Sequence, residues 1–410
     1  MDRYRPGDYS AQMAFAAKPR ATFQQQYLAL CITIFFATFS SGCYSTFLGG
    51  FLSRKGLNQE LAGFVGGAGS AAMIVGNLFW GFISDRFGQR RRFVLAGSAL
   101  TIVSLLLWVW GRQWYQYALL NTLTQFFLVP STALLFVFVL DLLPAAGRSH
   151  RFGKFRFWGS AGLITATWGA GWFLRANPDR LFLFSAATLA LAMLPVLFGT
   201  QEHYRPRQNR FHFTHVLRNP HLLLFYFVTF LHGAWDPGSF LFLSYSLVQY
   251  GASEGVVGMV LGMNGLMGML SLPLAGKLSD RWGRIPMLVA MFFLSALRML
   301  LYSLVSTPWA LVPIQVLHFG SFGIAEAVGT VYVSELAEEH DRATAVASLY
   351  TAHSIGALAA SVAGGAIAAR YGFPVMYQGF CAVIALAGIL FWMAAKGPRR
   401  ELLPETTHAA

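Results

Sequence analysis

Apolar residues fall in long runs, separated by short polar intervals, along nearly the whole 410-residue chain. The runs cover about 27–51, 61–83, 93–111, 116–140, 155–174, 180–199, 221–248, 255–276, 286–305, 308–333, 344–369 and 375–396. A bilayer core of ~30 Å takes about 20 helical residues per crossing. Run length and spacing therefore predict an all-α integral membrane protein with about twelve transmembrane helices. A membrane barrel would show alternating strands of about ten residues instead, and no such pattern is present. Composition agrees: 56% of the residues are hydrophobic and 11% are charged, against about 25% charged in soluble domains. Too few charges remain to cover a water-facing surface.

The formal net charge of +13 raises the question of a nucleic-acid partner, but its placement argues otherwise. Basic residues crowd alternate loops, "RFGQRRR", "GRSHRFGKFR", "HYRPRQNRFHFTHVLR", "DRWGR" and the tail "KGPRR", while "GRQWYQ", "YGASEG" and "STP" are lightly charged. That asymmetry follows the positive-inside rule. It predicts a multi-pass protein of the cell inner (plasma) membrane with both termini cytoplasmic, a lipid bilayer as its surroundings and no nucleic-acid partner. Residues 1–26 are polar and mixed, without the apolar core and small-residue cut site of a cleavable signal. Cys31, Cys43 and Cys381 lie in apolar runs and read as packing residues. No metal or cofactor is expected, and a monomer is.

The chain writes one charged turn twice. "GFISDRFGQRRR" runs from Gly81 to Arg92, and "GKLSDRWGR" from Gly276 to Arg284. Their aspartates, Asp85 and Asp280, are 280 − 85 = 195 residues apart, close to half the chain. Each turn follows the second span of its half, so the repeat is a block of six spans. The expected division is a cytoplasmic segment 1–26, a six-helix half 27–200, a basic linker 201–220, a second six-helix half 221–396 and a tail 397–410.

Two parallel six-helix halves with a cavity between them resemble the major facilitator superfamily. That family carries Gly-x-x-x-Asp-Arg-x-Gly-Arg/Lys-Arg/Lys between its second and third helices. Gly81, Asp85, Arg86, Gly88, Arg90 and Arg91 fit it, with Gln89 as a departure; Gly276, Asp280, Arg281, Gly283 and Arg284 form a degenerate second copy. Asp85 ends a helix, where the dipole disfavours an anion, so it needs a basic residue or a neighbouring helix N-terminus. Gly81 is expected to allow close helix approach and Gly88 a tight turn. The two copies read as gating latches, holding the halves together in the outward-facing state and breaking in the inward-facing one. The competing reading is a loop that only fixes orientation.

Ionisable residues inside a membrane mark function by default. The seventh span holds His232 and Asp236, four residues apart and so on one helix face, followed by Pro237 and Gly238, where a break is expected. The ninth holds Arg298, the tenth His318 and Glu326, the eleventh His353. In the first half Lys154 and Arg156 open the fifth span and Asp141 ends the fourth. "FGKFRFWGS", "SALRM" and "VLHFGSF" resemble segments of the lactose permease and phenylpropionate permease branch of proton symporters. The resemblance implies that Arg156 contacts substrate, that Arg298 and His318 belong to a proton-coupling network, and that Asp236 and His353 pair across helices. The departures are Ser321, where lactose permease has a glutamate, and the absence of its sugar-binding carboxylates in the fourth and eighth spans. Asn264 is the one amide of the eighth span. Coupling then falls to Glu326, with Asp236 second. Trp158, Trp235 and Asn264 are candidate substrate contacts beside Arg156.

These residues predict a secondary transporter for a small organic solute, sugar-like or aromatic-acid-like, working by alternating access with proton symport. A proton-driven efflux antiporter is the alternative, and a non-transporting sensor a further one. His-Glu-x-x-His, a credible Gly-x-Ser-x-Gly and a phosphate loop are all absent, so an enzyme is not expected.

Overall fold

The computed structural model describes residues 22–143, 148–174, 177, 180–201, 218–338 and 341–396. The expected terminal segments and the basic linker lie almost wholly outside the described residues.

Within them, the chain forms twelve helical spans. The first half holds α1 (Phe23–Arg54), α2 (Gln59–Phe87), α3 (Arg90–Trp110), α4 (Trp114–Leu142), α5 (Arg148–Leu174) and α6 (Leu181–Gly199). The second holds α7, in three pieces (Pro220–His232, Trp235–Ser239 and Leu241–Gln249), α8 (Glu254–Trp282), α9 (Arg284–Leu304), α10 (Pro308–Leu336), α11 (Arg342–Tyr371) and α12 (Phe373–Lys396). Ten of these are long and apolar enough to cross a bilayer. The other two are α5, which opens on "RSHRFGKFR", and α7, which is interrupted.

Local chemistry sets the boundaries. Thr22 and Gln25 close a capping box at the start of α1, and the Asn58 side chain accepts from Leu61 N at the start of α2. Gly88 ends α2 in the left-handed region at φ 61°, which a β-carbon disfavours. Gly283 does the same after α8 at φ 87°. The break in α7 falls upstream of the expected Pro237–Gly238, at Gly233–Ala234, with a second at Phe240. Proline removes a donor and crowds the carbonyl four residues before it, and four residues before Pro237 is Gly233. A five-residue π turn interrupts α4 at Pro130–Leu134 and α10 at Ala325–Gly329. Their offset, 325 − 130 = 195, equals that of the charged turns, so the two halves share even this irregularity.

Besides a smaller contact of α1 with α8, the halves meet chiefly through three span pairs: α1 with α7, α2 with α11, and α5 with α8. The last two exchange when each span is replaced by its counterpart six spans away, as a twofold relation between halves requires. Contact is tight at the end remote from the charged turns. A β-carbon added to Gly63 would lie 2.4 Å from the Ser361 carbonyl oxygen, and one on Gly258 2.1 Å from that of Thr167. The Gly50 amide donates to Ser244 Oγ (3.1 Å), Ser361 Oγ to the Gly63 carbonyl (3.0 Å), and Arg54 pairs with Glu254 (2.6 Å). At the charged-turn end of the same helices, Gly81, Gly153 and Gly276 have nothing within 4 Å of an added β-carbon. Among the described residues the halves are closed at the remote end and stand apart at the charged-turn end. The close approach expected at Gly81 is therefore not made among them in this conformation.

Candidate functional site

Between the closed and open ends lies a cavity of about 270 Å³. The second half supplies most of its wall, with Met73 of α2 opposite. The α7 break turns His232, Trp235 and Asp236 toward it; α10 adds Ser321, Phe322 and Glu326, and α11 adds Tyr350, His353 and Ser354. His232 and Asp236 thus share the cavity face, as their spacing implies. His232 Nε2 lies 3.0 Å from Ser295 Oγ, and its ring stacks on Trp235 at 5.9 Å. Asp236 and His353 line the same wall. Gly233 makes this possible, since an added β-carbon there would sit 2.6 Å from the His353 carbonyl oxygen. Only glycine lets α7 and α11 approach so closely.

Arg298 lies behind that wall, 0% exposed. Its guanidinium donates to Asn264 Oδ1 (2.7 Å) and Gln315 Oε1 (2.6 Å) and meets His318 Nδ1 at 3.0 Å. It also sits 5.8 Å from the Trp235 ring and 5.3 Å from that of Tyr302. A buried guanidinium needs an acceptor, and a carboxylate is the one that also balances its charge. Among the described residues no ion pair supplies one; the partners are two amides and an imidazole. Gln315, which also accepts from the Tyr302 hydroxyl (2.7 Å), was missed. The signal was there: Tyr302 is one turn after Arg298, and Gln315 one turn before His318.

Glu326, which the sequence groups with Arg298 and His318 for proton coupling, makes its own contacts elsewhere. It lies in the π turn of α10, where an i→i+5 pattern changes the register that eight regular residues would give. Its carboxylate accepts from the Tyr350 hydroxyl at 3.0 Å, and its carbonyl from Thr330 Oγ1 at 2.6 Å. It shares the cavity with Asp236, while Arg298 and His318 form a separate contact. From the first half, Arg156 packs on the Phe136 ring at 5.4 Å and lies within electrostatic reach of Tyr350. Trp158 is 47% exposed and edge-on to Phe35 at 6.4 Å; neither it nor Arg156 lines the cavity.

The charged turns form two matching clusters. Arg90, buried at the start of α3, reaches Ser84 Oγ (2.5 Å), Asp85 (2.5 Å) and Asp141 at the end of α4 (3.3 Å). Arg284, at the start of α9, reaches Ser279 Oγ (2.8 Å), Asp280 (2.9 Å) and Glu335 at the end of α10 (3.0 Å). Glu335 was missed, yet it follows Asp280 by 335 − 280 = 55 residues as Asp141 follows Asp85 by 141 − 85 = 56. Arg91 donates to the carbonyls of Val196 (3.1 Å) and Leu197 (2.8 Å), satisfying the end of α6. Arg86 and Arg281 are exposed. These contacts run within each half, tying spans two, three and four, or eight, nine and ten. In this conformation they do not bridge the halves.

The architecture has known counterparts. Multidrug resistance protein MdtG of Citrobacter koseri is 27% identical over 339 residues, covering 79% of this chain and 82% of that protein. MdtG of Salmonella typhimurium is 25% identical over 346 residues, 80% and 83% of the two chains. Among solved structures, the nucleoside transporter NupG superposes with a TM-score of 0.78 at 17% identity, over 90% of this chain and 99% of that one. A bacterial homologue of the lysosomal transporter Spinster, inward-facing and unoccupied, gives 0.69 at 13% identity, over 93% and 96%. At those identities the structures speak for the fold alone. The MFS_1 like family model matches residues 27–379, which takes in both halves, both charged turns and the cavity; the chain belongs to that family and is a multi-pass membrane transporter of the major facilitator superfamily.

Proposed function

We propose that this protein moves a small organic solute by alternating access, driven by symport with protons. The observation that carries the reading is the cavity wall, where two carboxylates, Asp236 and Glu326, and two imidazoles, His232 and His353, line one volume between halves closed at one end. Carboxylates held away from water take up protons more readily, and release them when a cation approaches or water enters. Glu326 is the coupling acid, with Asp236 and His353 as a pair that shares charge across α7 and α11. Arg298 and His318 supply a fixed positive charge and a relay beside it; Trp235 is a substrate contact at the wall, and Arg156 and Asn264, which lie off the wall in this conformation, join it when the halves close around the solute. The basic end is cytoplasmic by its charge, so the conformation described is inward-facing, and both termini lie inside. A single chain carries both halves, and the monomer is the transport unit.

In this scheme the two charged clusters keep the cytoplasmic ends of α2–α4 and α8–α10 rigid, so that each half moves as a body. The gating residues Gly81, Asp85, Arg86, Gly88, Arg90, Asp280, Arg281, Gly283 and Arg284 then meet the opposite half when the cytoplasmic side closes. Proton-driven efflux is the second reading, favoured by the likeness to proteins named for multidrug resistance.

The test is proton flux in proteoliposomes against a solute library. Symport alkalinises the side that solute leaves; antiport acidifies it. Glu326→Gln is expected to abolish uphill accumulation while permitting solute exchange. A Glu326→Gln protein that still accumulates solute against a gradient would move the coupling role to Asp236.

A further inference from the structure

We propose that the Arg298 cluster is the docking site for an anionic group, a carboxylate in the simplest case, on the transported solute. The assignment rests on the transport reading above and adds the chemical class of the substrate.

The first support is a charge without a counter-charge. A guanidinium does not deprotonate in a protein, and Arg298 is fully buried, hydrogen-bonded to Asn264, Gln315 and His318 and covered by the Trp235 and Tyr302 rings, with no carboxylate partner among the described residues. A buried ion held by neutral acceptors alone keeps much of its desolvation penalty. An anion arriving beside it recovers that penalty.

The second support is a surplus of donors. Six buried side-chain polar atoms lack a hydrogen-bond partner among the described residues, and three belong to this cluster: Arg298 Nε, Asn264 Nδ2 and Trp235 Nε1. All three are N–H donors. The Asn264 orientation is set by Arg298, which can only donate and therefore takes Oδ1, leaving Nδ2 free. Buried donors without acceptors are rare in folded proteins. Oxygen lone pairs complete this cluster; a cation or a further donor does not. A carboxylate also matches the planar fork of a guanidinium.

The cluster also borders the open volume. Trp235 lines the cavity and makes the first contact. The His318 ring is stacked 5.4 Å from Trp235 and 5.1 Å from Phe322, the latter also a lining residue. These rings offer a flat apolar surface for the body of the solute, with the donors at its edge.

Charge balance makes the proton part of the same event. The groups around Glu326 are Asp236, Tyr350, His232 and His353 in the wall, Arg156 across the halves, and Arg298 with His318 behind. Whatever charge the empty carrier holds here, one proton and one monovalent anion added together leave it unchanged. The empty and the fully loaded carrier then reorient with the same net charge, and loading adds none to be carried through a low-dielectric interior. A neutral solute with one proton leaves an extra positive charge.

Benzoate, benzamide and benzamidine test this, because they share a ring and differ in charge. The purified full-length protein is titrated with each at pH 7, and the thermal unfolding midpoint is followed. Benzoate is expected to bind at least about tenfold tighter than benzamide, the range of a charge-assisted hydrogen bond, and benzamidine weakest. Asn264→Asp installs a carboxylate against Arg298. It should unfold at the same or a higher temperature than the parent yet lose the preference for benzoate. Trp235→Phe keeps the ring and removes one donor, and should weaken benzoate roughly fivefold. Equal binding of the three probes, or full benzoate selectivity in Asn264→Asp, overturns the site. Binding is read without a gradient, so the two readings fail separately. Proton-driven uptake of a neutral solute by a protein indifferent to benzoate overturns the anion site and leaves the transporter. Selective benzoate binding without any proton-driven flux does the reverse.

Discussion

Gly258→Ala should tilt the protein out of the conformation described here. Gly258 lies on α8 at the closed end, where an added β-carbon would stand 2.1 Å from the Thr167 carbonyl oxygen of α5. Real β-carbons keep at least 3.0 Å from such atoms, so α5 and α8 must separate by about 3.0 − 2.1 = 0.9 Å. The atom struck is backbone, which cannot rotate aside. Overpacking of this kind costs about 1–3 kcal/mol. Alternating access requires the same two spans to part in the opposite conformation, where the cost is relieved. The gain in helix propensity from glycine to alanine, about 1 kcal/mol, is common to both conformations and cancels. The net bias is therefore about 1–3 kcal/mol toward the state open at the remote end, or roughly 5- to 150-fold in population. Spin labels on cysteines at Gln113 and Thr307, exposed at the remote end of either half, report the distance by pulsed electron resonance. The long-distance population should grow in Gly258→Ala. Gly169→Ala is the control, since Gly169 is on α5 with nothing within 4 Å of an added β-carbon. An unchanged distance distribution in Gly258→Ala, with the protein folded, would refute both the steric reasoning and the closed-end assignment.

Arg90→Ala and Arg284→Ala should differ although they occupy equivalent places. Arg90 has 5% of its side chain exposed and Arg284 28%. Losing Arg90 removes a buried cation from beside Asp85 and Asp141 and should cost about 3 kcal/mol, while Arg284 should cost under about 1 kcal/mol; thermal unfolding of the two variants decides it. Replacing both Asp236 and His353 by neutral residues should harm transport less than replacing either alone, and additive damage in that double-mutant cycle would count against the pair. For orientation, a cysteine at Gln113 should react with an impermeant reagent outside intact cells and one at Gln89 should not; the reverse pattern inverts the topology.

Much of this protein is written in one dimension. The number of spans follows from apolar run length against a fixed bilayer thickness, and the two-half plan from the 195-residue offset of Asp85 and Asp280. Both are properties of the chain measured against a uniform solvent, so no knowledge of which helices touch is needed. Arg298, His318 and Glu326 likewise stand out in the sequence as candidates, because an ionisable residue in an apolar run is costly wherever it packs. What packing decided was who answers whom. Arg298 takes its acceptors from α8 and α10 and its aromatic cover from α7 and α9, four spans whose adjacency no run length records. Glu326 turned toward Tyr350 because a π turn altered its register, a choice involving a few backbone bonds that periodicity does not carry. The open and closed ends were also beyond the sequence. Gly81 and Gly258 are both glycines on interface helices, yet one faces empty space and the other a carbonyl. Under the alternating access proposed above the same chain adopts both arrangements, so their difference lies in which contacts are formed at a given moment and not in the residues themselves.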